Sequence, residues 1–179
     1  MTSPAAAATP LLSMADAVDS IKRSLSDLTT AATDNKGIAF FENPRRFSGY
    51  ATRLQNVLNT VLRTCSSPDT LPASVQTALK GIAGDLAKAN EIMSVYRNRS
   101  KIFVLINCLS LSVSLQERTL AIGGWLSLID SSLHHHPYPE LRKKIADLSR
   151  DMKQAQFTVS VSEALTANNR LASTIVNVI

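Results

Sequence analysis

A chain of 179 residues, 45% hydrophobic and 18% charged, is long enough to bury one substantial core and too short for a core plus a large second domain. With six glycines, seven prolines, 5% aromatics and two cysteines, it excludes collagen, a disulfide scaffold and an acidic disordered chain, and it favours helices over many short strands. Nineteen basic residues against fourteen acidic ones leave a net charge of +5, but the excess is spread along the chain. Residues 1 to 90 hold nine basic and seven acidic side chains and residues 91 to 179 hold ten and seven, so there is no basic tail or stripe of the kind that tracks nucleic acid.

Residues 1 to 12 read as a disordered tail, because Met1 to Thr9 is an alanine-rich stretch without the basic start and long apolar run of an export signal. From Ser13, a plausible cap, Met14, Ala17, Val18, Ile21, Leu25 and Leu28 recur at three-and-four spacing and predict a helix that fades near Thr33. Asp34 to Gly37 then make a turn-like connection. Asn43 followed by Pro44 signals a second start, with Asn as cap and Pro at the first helical position. Its buried stripe is Phe47, Tyr50, Ala51, Leu54, Val57, Leu58, Val61 and Leu62, up to about Cys65.

Pro72 opens a third helix on Val75, Leu79, Ile82, Leu86, Ala89, Met93 and Tyr96, a run without a slip, and Arg97 to Lys101 ends or bends it. The stretch from Ile102 to Leu115 is apolar on all sides apart from Asn107 and three serines. Gln116, Glu117 and Arg118 interrupt it before the roughly twenty apolar residues a bilayer needs. It is therefore expected to be the central and most buried helix of a bundle, with serines bonded back to the helix backbone. The helix resumes through Leu120, Ile122, Trp125, Leu128 and Ile129, with Gly123 and Gly124 permitting a bend or a close helix contact. After a loop, Pro139 starts a helix on Leu141, Ile145, Leu148, Met152, Ala155 and Val159. A last one is expected from Ser162, on Leu165, Ala172, Ile175 and Ile179, and its apolar ending reads as a helix cut within a longer protein.

Candidate chemistry is sparse. His134, His135 and His136 are adjacent, so their rings point apart, and a solvated loop explains them better than a metal site. Cys65 and Cys108 are expected reduced and packed as small apolar residues, as in an intracellular protein. No glycine-rich phosphate loop or serine elbow is present. Asp147 and Asp151 share a helix face among basic neighbours, which predicts surface ion pairs. The remaining candidates for contact with a partner or with anionic lipid are Arg97, Arg99 and Lys101, and Arg142, Lys143 and Lys144, together with the pair Arg45 and Arg46.

The stretch Asn98-Arg99-Ser100-Lys101-Ile102-Phe103-Val104-Leu105-Ile106-Asn107-Cys108, following Leu86-Ala87-Lys88-Ala89-Asn90, resembles the N-terminal region of plant U-box and armadillo-repeat ubiquitin ligases, the senescence-associated type above all. The likeness continues upstream at Phe47, Leu54, Leu58 and Leu62 and downstream at Asp151 to Phe157 and Ser162-Glu163, covering roughly residues 13 to 179. The resemblance implies a region that precedes a U-box, which recruits the ubiquitin-conjugating enzyme, and armadillo repeats, which choose substrate and location. Neither the U-box nor the repeats are in this sequence, so no catalytic residue carries over.

The expected fold is therefore an all-α antiparallel bundle of four to five long helices over residues 13 to 179, with a shorter N-terminal helix alongside. The expected function is a non-catalytic interaction or regulatory domain of a U-box ubiquitin-protein ligase in immune or senescence signalling. Its partners would be ligase substrates or regulators, its location cytoplasmic, with no cofactor, metal or nucleic acid. The alternative is a bundle that engages anionic lipid at the inner face of the plasma membrane through its basic clusters.

Overall fold

Five α-helices and no strand make up the residues that the computed structural model describes, 13–34, 41–64, 71–134 and 138–159: α1 (Met14–Asp34), α2 (Glu42–Thr64), α3 (Ala73–Asn98), α4 (Lys101–Ser132) and α5 (Pro139–Lys153). The all-α bundle expected from periodicity is what forms. The N-terminal tail, the connection at Asn35 to Gly37, Cys65, His135, His136 and the helix expected from Ser162 lie outside the described residues.

Local chemistry sets the helix starts. Ser13 Oγ accepts the Asp16 amide at 3.1 Å and donates to the Asp16 carboxylate at 2.6 Å, a reciprocal cap that satisfies one orphan amide of α1. Ser100 does the same for α4, accepting the Phe103 amide at 3.2 Å. Only Arg99 and Ser100 separate α3 from α4, so the two helices must fold back on each other. Ser74 near the start of α3 indeed meets Ser132 at the end of α4, at 2.7 Å. α4 and α5 are antiparallel too, with Ser149 bonded to the Gly123 carbonyl at 2.7 Å and Arg142 paired with Asp130 at 3.4 Å.

The stripes read from the sequence face inward. Ala17, Ile21, Leu25 and Leu28 of α1, Phe47, Leu54, Leu58 and Val61 of α2, and the whole series from Val75 to Tyr96 of α3 are buried in one core. Burial on this scale is the main stabilising term of the bundle. Phe41, just before α2, packs edge-on against Tyr96 with ring centroids 5.4 Å apart, closing the end of the bundle where α3 finishes.

Four expectations need correction. First, the short helix is not N-terminal: α1 has 21 residues and is fully part of the core, whereas α5 has 15. Second, α2 begins at Glu42, so Asn43 sits inside its first turn instead of capping it. The Asn43 amide donates to Ser112 Oγ at 2.7 Å and to the Thr158 carbonyl at 3.0 Å, a buried tie between three parts of the chain. Third, α5 ends at Lys153, and residues 155–159 belong to no helix or strand. Ala155 and Phe157 are buried while Gln156 and Thr158 face out, an alternation of period two rather than a helical stripe. Fourth, the segment Ile102 to Leu115 is not the most buried helix, for a reason that the length of α5 supplies.

Candidate interaction surface

α4 is 32 residues long and α5 only 15, about 48 Å against 22 Å at 1.5 Å per residue. α5 runs from the far end of α4 and stops opposite Gly123, where a Cβ would come within 3.1 Å of the Ser149 carbonyl and the Lys153 side chain. The second half of α4 is therefore enclosed between α3 and α5, and its first half keeps one face open. That face carries Ile102, Phe103, Ile106, Leu109 and Val113, with Leu120 in line beyond them. Ile106 is 56% and Leu109 68% exposed. At about 100° per residue, Ile102, Ile106, Leu109, Val113 and Leu120 fall within about 60° of one another around the helix axis. The opposite face of the same turns holds the buried Val104, Leu105, Ser112 and Leu115.

Cations adjoin one end of this stripe. The Arg99 guanidinium lies 5.6 Å from the centroid of the Phe103 ring, within cation–π reach, and Lys101 is exposed on the first turn. Arg97 is half-buried at the end of α3. The second basic cluster is placed differently. Arg142 is engaged by Asp130 and, at 2.8 Å, by His134 Nδ1, while Lys143 and Lys144 are exposed on α5. Because α5 starts where α4 ends, the two clusters stand at opposite ends of α4, and the fold does not join them into one anion site. Arg46 is held elsewhere again, by Glu42 at 3.0 Å and by the Gln156 carbonyl.

The other candidates resolve into packing and ion pairs. Asp147 pairs with Arg150 at 2.6 Å and Asp151 with Arg53 of α2 at 2.7 Å, surface pairs of small energetic weight. Cys108 is half-buried on α4. Among the described residues no group of three or more His, Cys, Asp or Glu could hold a metal ion, and no helix is long and apolar enough to cross a membrane. An open groove of about 350 Å³ between α4 and α5 is lined by Ser127, Asp130, Ser149, Arg150 and Lys153. Arg150 is paired with Asp147 at 2.6 Å and Lys153 donates to Ser127, and the serines bond to one another, as Ser127 and Ser149 do at 2.8 Å.

Sequence reasoning missed a polar cluster inside the bundle. Asp85 of α3 accepts from Arg118 at 2.8 Å on one carboxylate oxygen and from the Trp125 indole N–H at 2.9 Å on the other. Trp125 in turn lies flat against Gly81, where an added Cβ would fall 2.3 Å from the ring. The one available signal was a lone acidic residue beside the apolar positions Ile82 and Leu86, one turn from a glycine. The cluster fixes how α3 and α4 face each other, and so which side of α4 turns outward.

No protein-family model, curated protein or solved structure matches the chain.

Proposed function

We propose that this chain is a non-catalytic interaction domain and that the open face of α4, from Ile102 to Val113, is where a protein partner binds. One observation carries the reading: a row of large apolar side chains is presented on a rigid helix, capped and cation-flanked at one end. Contiguous exposed apolar surface of this kind costs solubility unless something covers it, and it is the usual mark of an interaction site. Helices in grooves and on faces are read through side chains at such three-and-four spacings.

The parent protein, in this proposal, is a U-box ubiquitin ligase in which the domain selects or regulates substrates in the cytoplasm during immune or senescence signalling. The support is the resemblance at Asn98 to Cys108 and at Met152 to Phe157. The first stretch spans the end of α3, the two-residue connection and the start of α4, and the second runs alongside the middle of α4, where the Phe157 amide donates to Gln116 at 3.2 Å. Two experiments test the two layers separately. Reading the transcript past the codon for Ile179 should find a U-box in frame, and a stop codon without one removes the ligase. Quantitative affinity capture should lose the same specific proteins when Ile106 and Leu109 are changed to Asn, with circular dichroism unchanged. Equal capture by both forms removes the α4 face as the binding surface.

Arg99 and Lys101 beside the stripe favour a second reading, attachment of this end of the bundle to an anionic membrane, each cation contributing about 1 kcal/mol near such a surface. Flotation with vesicles containing phosphatidylserine discriminates. Binding that weakens with salt and disappears in a variant with Arg99 and Lys101 neutralised would favour the membrane.

A further inference from the structure

We infer that the open face of α4 binds a second copy of this chain, the two α4 helices lying antiparallel and crossing near Ser110. The inference deepens the functional reading by naming a partner for that face, and it rests on that reading in taking the face as a binding surface.

The two margins of the apolar row differ. On one side Gln116 accepts the Phe157 amide at 3.2 Å and Ser112 accepts from Asn43 at 2.7 Å, so the molecule itself closes that margin. On the other side stand Phe103, Ser110 and Glu117, spaced seven residues apart and within about 40° of one another around the helix axis. All three are exposed. Arg99 lies over the Phe103 ring, so the open margin carries a cation at its start, a small hydroxyl at its middle and a carboxylate at its end. The Glu117 side chain is 59% exposed; its contact with Arg118 is 3.4 Å, and Arg118 is engaged more closely by Asp85, at 2.8 Å. Between Lys101 and Glu117 the sequence holds no charge.

A margin with opposite charges on either side of its centre is complementary to itself. In a two-fold pair, residue i meets j while j meets i. An antiparallel crossing at Ser110 brings Glu117 of each copy beside Arg99 and Phe103 of the other, and the small Ser110 at the centre lets the helices approach. A parallel pair would set Arg99 against Arg99 and Glu117 against Glu117, which is repulsive. The apolar residues obey the same symmetry, because Ile106 and Val113 lie about equally far on either side of the crossing and face each other across it. In that register Gly123, where α5 stops, falls beyond the first turn of the other α4, so neither α5 stands between the helices.

The area is sufficient. Ile102, Phe103, Ile106, Leu109, Val113 and Leu120 are between 38% and 68% exposed. They leave on the order of 500 Å² of apolar surface per copy, at the upper end for a lone monomer. Pairing two copies hides about 1,000 Å² before the polar rim is counted, the lower bound for a specific interface. A membrane fits the same row less well, since Glu117 at its edge repels anionic headgroups.

Sedimentation velocity of the full chain at increasing concentration tests the pairing. A monomer–dimer equilibrium with a Kd in the micromolar range is expected. Changing Ile106 and Leu109 to Asn should abolish the dimer with circular dichroism unchanged. Glu117→Lys or Arg99→Glu should each raise the Kd about ten-fold, because every reversal acts twice in a two-fold pair. The two reversals combined in one chain should restore it. A chain that stays monomeric overturns the proposal, as does a dimer indifferent to Ile106 and Leu109. A dimer that the combined reversal does not restore overturns the antiparallel pairing, and association seen only on phosphatidylserine vesicles makes a membrane the occupant. Failure of the functional reading looks different. A monomer whose affinity capture of other proteins still depends on Ile106 and Leu109 keeps the binding face and removes the second copy. A dimer that depends on those residues while capture does not keeps the second copy and removes the wider reading.

Discussion

The two halves of α4 are built from the same kinds of residue and end in opposite environments. From Leu115 to Ile129, the side chains of Leu115, Thr119, Ile122, Leu126 and Ile129 are wholly buried. From Ile102 to Val113, five large apolar residues stand in the open. The exposed half is the one without a charged residue, so composition does not explain the difference; the neighbours do. α3 lines the helix throughout, whereas α5 covers it only as far as Gly123, so burial here is decided by where another helix stops.

Core truncation on the covered half should give the largest effect. Leu126→Ala is expected to cost about 2–5 kcal/mol in urea unfolding, the transfer term plus the cavity left between three helices. Leu109→Ala is expected to cost about 1 kcal/mol or less, since Leu109 is already 68% exposed. Equal costs for the two would erase the contrast. Native-state hydrogen exchange offers the same comparison without mutation: amides from Leu115 to Ile129 should open only with global unfolding, and those from Phe103 to Val113 through smaller local openings.

Next in size is the polar cluster that sets the facing of the covered half. Asp85→Ala leaves the Arg118 guanidinium and the Trp125 indole without their acceptor. Losing one member of a well-buried pair costs about 3–5 kcal/mol. The Arg118 side chain is 24% exposed and that of Asp85 11%, so water recovers part of this, and about 2 kcal/mol is the expected loss. Asp85→Asn, which keeps one carbonyl acceptor, should lose less. A full-sized loss for Asn would mean that charge rather than geometry dominates.

How much of this was legible beforehand follows from the same helix. Amphipathic helices announced themselves: in α3 every residue of the series from Val75 to Tyr96 is buried as its spacing required, and Ser13 caps α1 as its position suggested. α4 could not be read that way, because a helix apolar on all sides has no preferred face in its periodicity. Its open side depends on the end of α5, and that end lies where Ala155 and Val159 continue a helical spacing that the chain abandons. There the competing claim is long-range: Asn43, Arg46 and Gln116 bond the backbone from Gln156 to Thr158, offering a non-helical conformation partners that a helix would not meet. The basic clusters were visible as residues, but their placement at opposite ends of α4 needed the topology.

Glycines sharpen the comparison at a smaller scale. Gly81→Ala should destabilise by about 1–3 kcal/mol despite the better helix propensity of Ala, because the new methyl overlaps the Trp125 ring and forces it off Asp85. Gly84 and Gly124, on the same two helices, have no atom within 4 Å of an added Cβ. Ala at either should stabilise by about 0.5–1 kcal/mol. Thermal melts of the three variants give the signs directly, and a stabilising Gly81→Ala would show that Trp125 can move without loss.

The smallest expected effect probes the open half itself. Ser100→Ala removes the side chain that accepts the Phe103 amide, a change of about 1 kcal/mol when a helix end is cooperatively tied to the rest of its fold. If the first turns of α4 open independently of the covered half, the loss is confined to that local equilibrium. Exchange at the amides of Phe103, Val104 and Leu105 then quickens about five-fold, while the melting midpoint moves by less than the roughly 2–4 °C that 1 kcal/mol would give in a domain of this size. A full shift of the midpoint would instead show that both halves of α4 unfold as one unit, and that the open face is held as firmly as the buried one through α3 alone.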